Sequence, residues 1–271
     1  MLSRIKVPAA LALALAPIAT FTLVAAPLTA LADDATIAVA ANFSTPAEAL
    51  QKLFEQRTPH HLKFTSGSTG QLYAQIANGA PLDALLSADR EHVDQLLAAG
   101  LADGSLRFTY AVGKLALWTR ETEKLKPLDL KSLGRSDYRW LAIANPELAP
   151  YGLAAEQALR KLGLWNALQS RIVRGESIAQ TFALIETRNA DLGFVALSQV
   201  IAYKDKSAAA SFEVPQELYE PIDQDAVLLK RASGNVAARG FLEFLREPDA
   251  VRVIQGFGYG TGAAAPANAP R

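Results

Sequence analysis

The sequence predicts an α/β protein of two lobes joined by two long crossing strands. Short apolar runs alternate with amphipathic helical stretches through most of the chain, which favours mostly parallel sheets. The alternation restarts near Trp140. Two segments, Phe108–Trp118 and Tyr219–Leu229, are long and apolar enough to leave one lobe and enter the other. Such an architecture closes around a ligand by hinge motion.

Each element has its own signal. Thr36–Ala41 suits a buried first strand, and Pro46 suits the first position of a helix that aligns Leu50, Leu53 and Phe54. Leu62–Ser66 reads as a strand, the stretch from Thr69 as a helix with Leu72 and Ile76, and Asp83–Ser87 as a third strand. Asp89 is placed to cap the helix that runs to Ala99. In the second set, Trp140–Ala144, Arg171–Arg174 and Leu192–Ala196 read as strands. Gly152–Leu162, stopped by Gly163, and Ile178–Thr187 read as helices, and Val236–Arg246 and Pro248–Gly256 close the chain. The expected organisation is a signal peptide at 1–32, lobe 1 at 33–113 plus 222–259, lobe 2 at 114–221 and a disordered Ala/Gly/Pro-rich tail at 260–271. No sequence repeat marks the lobes as duplicates.

The 271 residues carry 27 basic and 27 acidic side chains, and half are hydrophobic. Bulk charge therefore gives no reason to expect nucleic acid or an anionic membrane surface as partner. At the start, Arg4 and Lys6 precede an uncharged apolar stretch from Val7 to Ala32 that ends in the small-x-small pattern Ala30-Leu31-Ala32. This reads as a cleaved export signal. The rival is a retained anchor, since the stretch is long enough to span, but Pro8, Pro17 and Pro27 favour cleavage. Removal would leave 25 basic and 27 acidic residues. There is no cysteine, so a lipid anchor at the cleavage site, a disulfide and a thiolate site are not expected. The expected location is the periplasm.

Four loop-to-helix junctions share one chemistry: Ala41-Asn42-Phe43-Ser44-Thr45, Ser66-Gly67-Ser68-Thr69-Gly70, Asn145 to Gly152, and Gly175-Glu176-Ser177-Ile178. Thr45…Glu48, Ser68…Gln71 and Ser177…Gln180 have the spacing of capping boxes. Helix N-termini carry unpaired N–H groups and about half a positive charge, so several that converge make an anion site without a full cation. Gly67, Gly70 and Gly152 would let backbone approach a ligand. Lys and Arg are absent from the first three junctions, and Arg174 is the nearest cation to the fourth. Carboxylates are absent from the first two. A dianion with no proton to donate needs only donors around it, which fits molybdate, tungstate or sulfate better than phosphate. Composition and spacing leave open that Thr45, Ser68 and Ser177 only cap their own helices.

At these junctions the sequence resembles the periplasmic molybdate-binding proteins of ABC importers. The stretches that carry this are AVAANFSTPAEAL from Ala38, FTSGSTGQLYAQIANGAPLDALLSAD from Phe64, ANPELAPYGLAAEQAL from Ala144 and ADLGFVALSQV from Ala190. The resemblance implies a type II periplasmic-binding-protein fold with a two-strand hinge. It also implies a non-enzymatic, monomeric carrier, without a cofactor, that delivers molybdate or tungstate to the permease subunit. Carried over by position, the ligand groups would be Asn42, Ser68 or Thr69, Tyr151 and Ile178: backbone N–H at Asn42 and Ile178, hydroxyls adding at Ser68 and Thr69, either group at Tyr151. Two hydroxyls found in some members are missing here, at Ala41 and Ala196. Tyr151 would supply the missing donor, as in another branch of the family. The metal would arrive inside the oxyanion, with no direct protein ligand.

Other readings are a binder of sulfate or another small oxyanion, an exported hydrolase using the Ser/Thr-rich turns, and an anchored sensory domain. A hydrolase would need a general base near Ser68, and none is visible in the sequence. His60, His61 and His92 lack a third metal ligand at suitable spacing and read as solvated surface. Ser87, Asp89 and His92 lack a nucleophile elbow. Asp223 and Asp225 lie on the expected return strand, and Trp118, Trp140 and Trp165 read as core or lobe-surface residues.

Overall fold

The computed structural model describes residues 32–261. The expected export signal, and the tail beyond Thr261, lie outside these residues. The elements are, in order, β1 (Asp34–Ala40), α1 (Ser44–Arg57), β2 (His61–Gly67), α2 (Thr69–Ala77), β3 (Ala84–Leu86), α3 (Glu91–Ala98) and β4 (Ala102–Gly113). Then come β5 (Leu115–Thr119), β6 (Leu141–Ala144), α4 (Pro150–Lys161), α5 (Trp165–Leu168), β7 (Ile172–Gly175), α6 (Ile178–Glu186), β8 (Leu192–Ala196), α7 (Leu197–Ala202) and β9 (Ala210–Glu213). The chain ends with β10 (Ile222–Leu229), α8 (Val236–Phe244) and α9 (Pro248–Gly256).

Two mixed sheets result, β2-β1-β3-β10-β4 and β7-β6-β8-β5-β9. Each begins with three parallel strands and ends with two antiparallel pairings. The two orders are therefore equivalent, with β10 in the slot of one sheet that β5 fills in the other. Sequence shows no repeat, yet the topology repeats. β6 and β8 are buried at every position, as strands covered on both faces must be. In the first lobe α1, α8 and α9 cover one face of the sheet with Phe43, Leu50, Phe54 and Phe241, while α2 and α3 cover the other with Leu72, Ile76, Val93 and Leu96. In the second, α4 lies on one face and α6 and α7 on the other.

The long segment Phe108–Trp118 is two strands rather than one, broken only at Lys114. Ile222, the first residue of the return strand, pairs with Gly113. Both crossings therefore lie side by side, as a two-strand hinge requires. Strand β9 carries no clear sequence signal, because its four residues alternate between half-buried and exposed. Asp225 is buried in the return strand and satisfied by Thr109 Oγ1 at 2.7 Å and Arg107 Nε at 2.8 Å, which accounts for it structurally. Trp118 is core, stacked on Phe182 with ring centroids 4.2 Å apart. His60 Nδ1 accepts from Asp33 N–H, and His61 opens β2 instead of lying in a loop.

Three sequence expectations need correction. The Thr45–Glu48 capping box does not form, because a 3-10 turn at Ala41–Phe43 starts the helix at Ser44, whose hydroxyl bonds the Ala41 carbonyl and Ser66. Gly260, expected to open the disordered tail, is paired: it exchanges two backbone hydrogen bonds with Val112. Gly152 serves packing rather than a ligand, since a Cβ there would collide with the Ala144 carbonyl at the end of β6. Gly152→Ala should therefore lower the unfolding free energy by about 1–3 kcal/mol, read from urea denaturation.

Asp89 does cap α3, its Oδ1 accepting from His92 N–H at 3.0 Å. Its Oδ2 lies 2.7 Å from His92 Nδ1, and this hydrogen bond raises the His92 pKa against the opposing effect of burial. The folded chain thus holds that proton more tightly than the unfolded chain. The pair stabilises fully below the ordinary histidine value, and its contribution fades as pH rises through the raised folded value. Urea midpoints between pH 5.5 and 8.5 should show this decline in the wild type, with a flatter profile in His92→Gln.

Candidate functional site

All four junctions meet at one place between the lobes. A constricted cavity of about 10 Å³ is lined by Ala40, Ala41, Asn42, Ser68, Thr69, Ala88, Ala149, Pro150, Tyr151 and Ile178. It is smaller than the roughly 300–1,000 Å³ of drug-sized ligand sites. It suits one small ion rather than a sugar or peptide. Every predicted ligand residue is among its lining groups, and no lysine, arginine, aspartate or glutamate is. Arg174, the nearest cation in sequence to the fourth junction, is exposed and outside the lining. A wider groove of about 420 Å³ opens beside the cavity, shares only Ala41 and Asn42 with it, and includes Glu186 and Lys204.

The parallel strands put the site there. β1, β2, β6 and β7 all end at junctions that feed it, and ligands in α/β sheets collect at strand C-terminal ends. The helices that follow, α2, α4 and α6, start at the cavity with their unpaired amides. Among the described residues, no protein acceptor takes the backbone N–H of Asn42, Thr69, Tyr151 or Ile178.

Each candidate is held differently. At Ser68 the capping box is half made: Gln71 Oε1 accepts from Ser68 N–H at 3.3 Å, but the Ser68 hydroxyl returns nothing. That hydroxyl is buried with no hydrogen-bond partner. Leaving it so costs about 1–3 kcal/mol, which an acceptor in the cavity would recover. Thr69 Oγ1 instead accepts from Ala88 N–H at 3.0 Å. Ser177 caps α6, accepting from Gln180 N–H at 3.3 Å, and so leaves Ile178 N–H at the helix start. The Tyr151 hydroxyl points at the hinge, where it accepts from Gln224 Nε2 at 3.2 Å and fills the space beside Gly113. The Tyr151 hydroxyl is thus engaged at the hinge.

Asn42 is the most constrained. Its side-chain amide donates to Gln224 Oε1 at 2.9 Å and to the Tyr259 hydroxyl at 3.0 Å. Its carbonyl accepts from Tyr259 at 2.8 Å and from Ser198 at 2.9 Å. The one hydroxyl proton of Tyr110 lies between Gln224 Oε1 at 2.9 Å and the Ser87 carbonyl at 3.1 Å. Burial pushes the hydroxyls of Tyr110, Tyr151 and Tyr259 well above the usual phenol range, so the network is neutral. Sequence reasoning missed Gln224, Ser198, Tyr110 and Tyr259. An amide between Asp223 and Asp225 at the start of β10, and a tyrosine flanked by Gly258 and Gly260, were the available signals.

The lobes also touch directly, through Gly70 N–H to the Leu148 carbonyl at 3.0 Å. A Cβ at Gly70 would lie 3.2 Å from that carbonyl. Gly70 thus serves the lobe contact, whereas a Cβ at Gly67 would meet only ordinary contacts near 3.5 Å. No base is bonded to the Ser68 hydroxyl to activate it. The arrangement can hold a hydrogen-bond acceptor.

This fold and its enclosed interlobe cavity define a two-lobed solute-binding protein. A model of the bacterial extracellular solute-binding protein family matches residues 35–260, and the chain belongs to that family. It is 42% identical over 234 residues to the molybdate-binding protein ModA of Rhodobacter capsulatus, covering 86% of this chain and 91% of the relative. It is 44% identical over 231 residues to ModA of Azotobacter vinelandii, covering 84% and 90%. The solved periplasmic molybdate-binding protein of Azotobacter vinelandii matches with a TM-score of 0.79 at 37% identity, over 84% of this chain and all of that one. The sulfate-binding protein SubI of Mycobacterium tuberculosis, 16% identical, shares the fold with a TM-score of 0.71 over 86% of this chain and 88% of that one.

Ile178 offers a clean test of a backbone donor. Proline is tolerated at the first helical position, and Ser177 before it is already extended at φ −140°, ψ 166°. Ile178→Pro should keep the fold and remove one N–H. Loss of a hydrogen bond to a charged group is worth about 1.5–3 kcal/mol. Anion affinity should therefore fall by roughly ten- to a hundredfold, with circular dichroism unchanged.

Proposed function

We propose that this protein captures molybdate or tungstate between its lobes and delivers it to the permease subunit of an ABC importer. The observation that carries this reading is a small buried cavity ringed by neutral donors from both lobes. Such a ring suits a fully deprotonated tetrahedral dianion, because a carboxylate in it would repel the guest and nothing in the guest needs an acceptor. The donors are the N–H groups of Asn42, Thr69, Tyr151 and Ile178 and the hydroxyl of Ser68. The similarity to ModA proteins over most of the chain supports molybdate as the cargo. Sulfate carries the same charge and shape, so discrimination rests on cavity size.

The same reading gives the organisation. Residues 1–32 form a removed export signal, 33–113 with 222–259 the first lobe and 114–221 the second. The carrier works as a monomer in the periplasm, with no nucleic-acid partner and no cofactor of its own.

Calorimetry of the purified protein with molybdate, tungstate, sulfate and phosphate in turn tests this. Molybdate and tungstate should bind with one-to-one stoichiometry, sulfate more weakly and phosphate least. At a molybdate concentration a hundred times the Kd, the fold should gain about 2.7 kcal/mol. An unchanged Tm in molybdate and tungstate would overturn the proposal.

A further inference from the structure

The last described residues do more than end the chain. After α9, Phe257–Gly260 runs as a strap across the back of the hinge. Gly258 has φ +83°, and a side chain there would press on Leu197 and Ile201 of α7 in the second lobe. Gly260 exchanges both backbone bonds with Val112, one residue before β4 ends. Between these anchors Tyr259 turns inward and is 5% exposed. Its ring packs edge-on against Phe43 of the first lobe at 5.4 Å.

The hydroxyl of Tyr259 touches both lobes at once. It accepts from Asn42 Nδ2 at 3.0 Å, and its one proton lies between the Asn42 carbonyl at 2.8 Å and Ser198 Oγ at 3.0 Å. Ser198 belongs to α7, and its own hydroxyl donates to the Asn42 carbonyl at 2.9 Å. The Asn42 peptide is therefore gripped from behind by one residue of the strap and one of the opposite lobe. Tyr259 itself is outside the cavity lining.

We infer that Tyr259 is a positioning residue that couples lobe closure to the oxyanion site, by fixing the Asn42 peptide only when Ser198 has swung into reach. This rests on the reading of Asn42 N–H as a ligand donor. When the lobes part, Ser198 withdraws and one hold on Asn42 is lost. Ordering of that donor and closing of the cleft are then one event, and bound anion is retained longer.

The test is Tyr259→Phe, which keeps the ring. Asn42 Nδ2 retains Gln224 and Ser198 retains the Asn42 carbonyl, while one Asn42 side-chain N–H loses its partner. Ser198→Ala is the second variant and leaves the packing of the tyrosine untouched. The chain has no cysteine, so labels at Lys52 and Ala167, both exposed and one on each lobe, report lobe separation. Molybdate affinity should fall about tenfold in Tyr259→Phe, through faster release, and the ligand-free distances should shift toward open in both variants. A tyrosine that merely fills the core would move the unfolding midpoint and leave release rate and lobe separation alone. Wild-type Kd and wild-type distances in both variants would overturn the inference. If the wild-type protein binds no oxyanion, the functional reading fails and the ligand-free distances alone decide on the strap. If Tyr259→Phe does not fold, Ser198→Ala decides by the same two measurements.

Discussion

A buried anion that no cation touches must be matched entirely by hydrogen-bond donors, and much of this structure follows from that constraint. Single neutral donors are weak, so several must converge on one small volume. Helix starts supply them, each with unpaired amides and a share of the helix dipole. Parallel strands deliver helix starts to one edge of a sheet, and two such sheets facing each other bring donors from opposite sides. Neither lobe alone could surround a tetrahedral guest. The hinge is therefore part of the chemistry of the site.

Freeing donors is as important as gathering them. The Asn42 side chain and carbonyl are occupied by Gln224, Tyr259 and Ser198, which leaves its N–H for the cavity. The Tyr151 hydroxyl is drawn away to Gln224. The Ser68 hydroxyl is instead left without a partner. The network around Asn42 and Gln224 is built from neutral groups and places no net charge beside the cavity.

Much of this was legible in sequence, for local reasons. Strands β1, β6 and β8 are apolar runs, and the helix starts carry Ser, Thr, Pro or Gly where those residues have a geometric role. Asn42, Ser68, Thr69, Tyr151 and Ile178 were reachable because each sits at a strand-to-helix junction. Gln224, Tyr110, Ser198 and Tyr259 were not, because their roles depend on partners up to 217 positions away. A distant partner also explains the misreading of Gly260, whereas Gly152 was misread because only the turn from β6 into α4 brings it against Ala144. A glycine near a helix start looks like a ligand contact until the Ala144 carbonyl is seen against it, and a Gly-rich end looks loose until Val112 is paired to it. Strand β9 escaped because a short edge strand needs no apolar face.

The equivalence of the two sheet orders has a consequence for how the chain acquires its shape. β5 to β9 are contiguous, so the second sheet is complete once residue 213 has emerged. The first sheet is not, because β10 must insert between β3 and β4. A nascent chain that has released β1 to β4 therefore carries an open slot, with α8 and α9 still to come. That half stays unfinished until nearly the whole polypeptide is available, and its non-local pairing is slow to form.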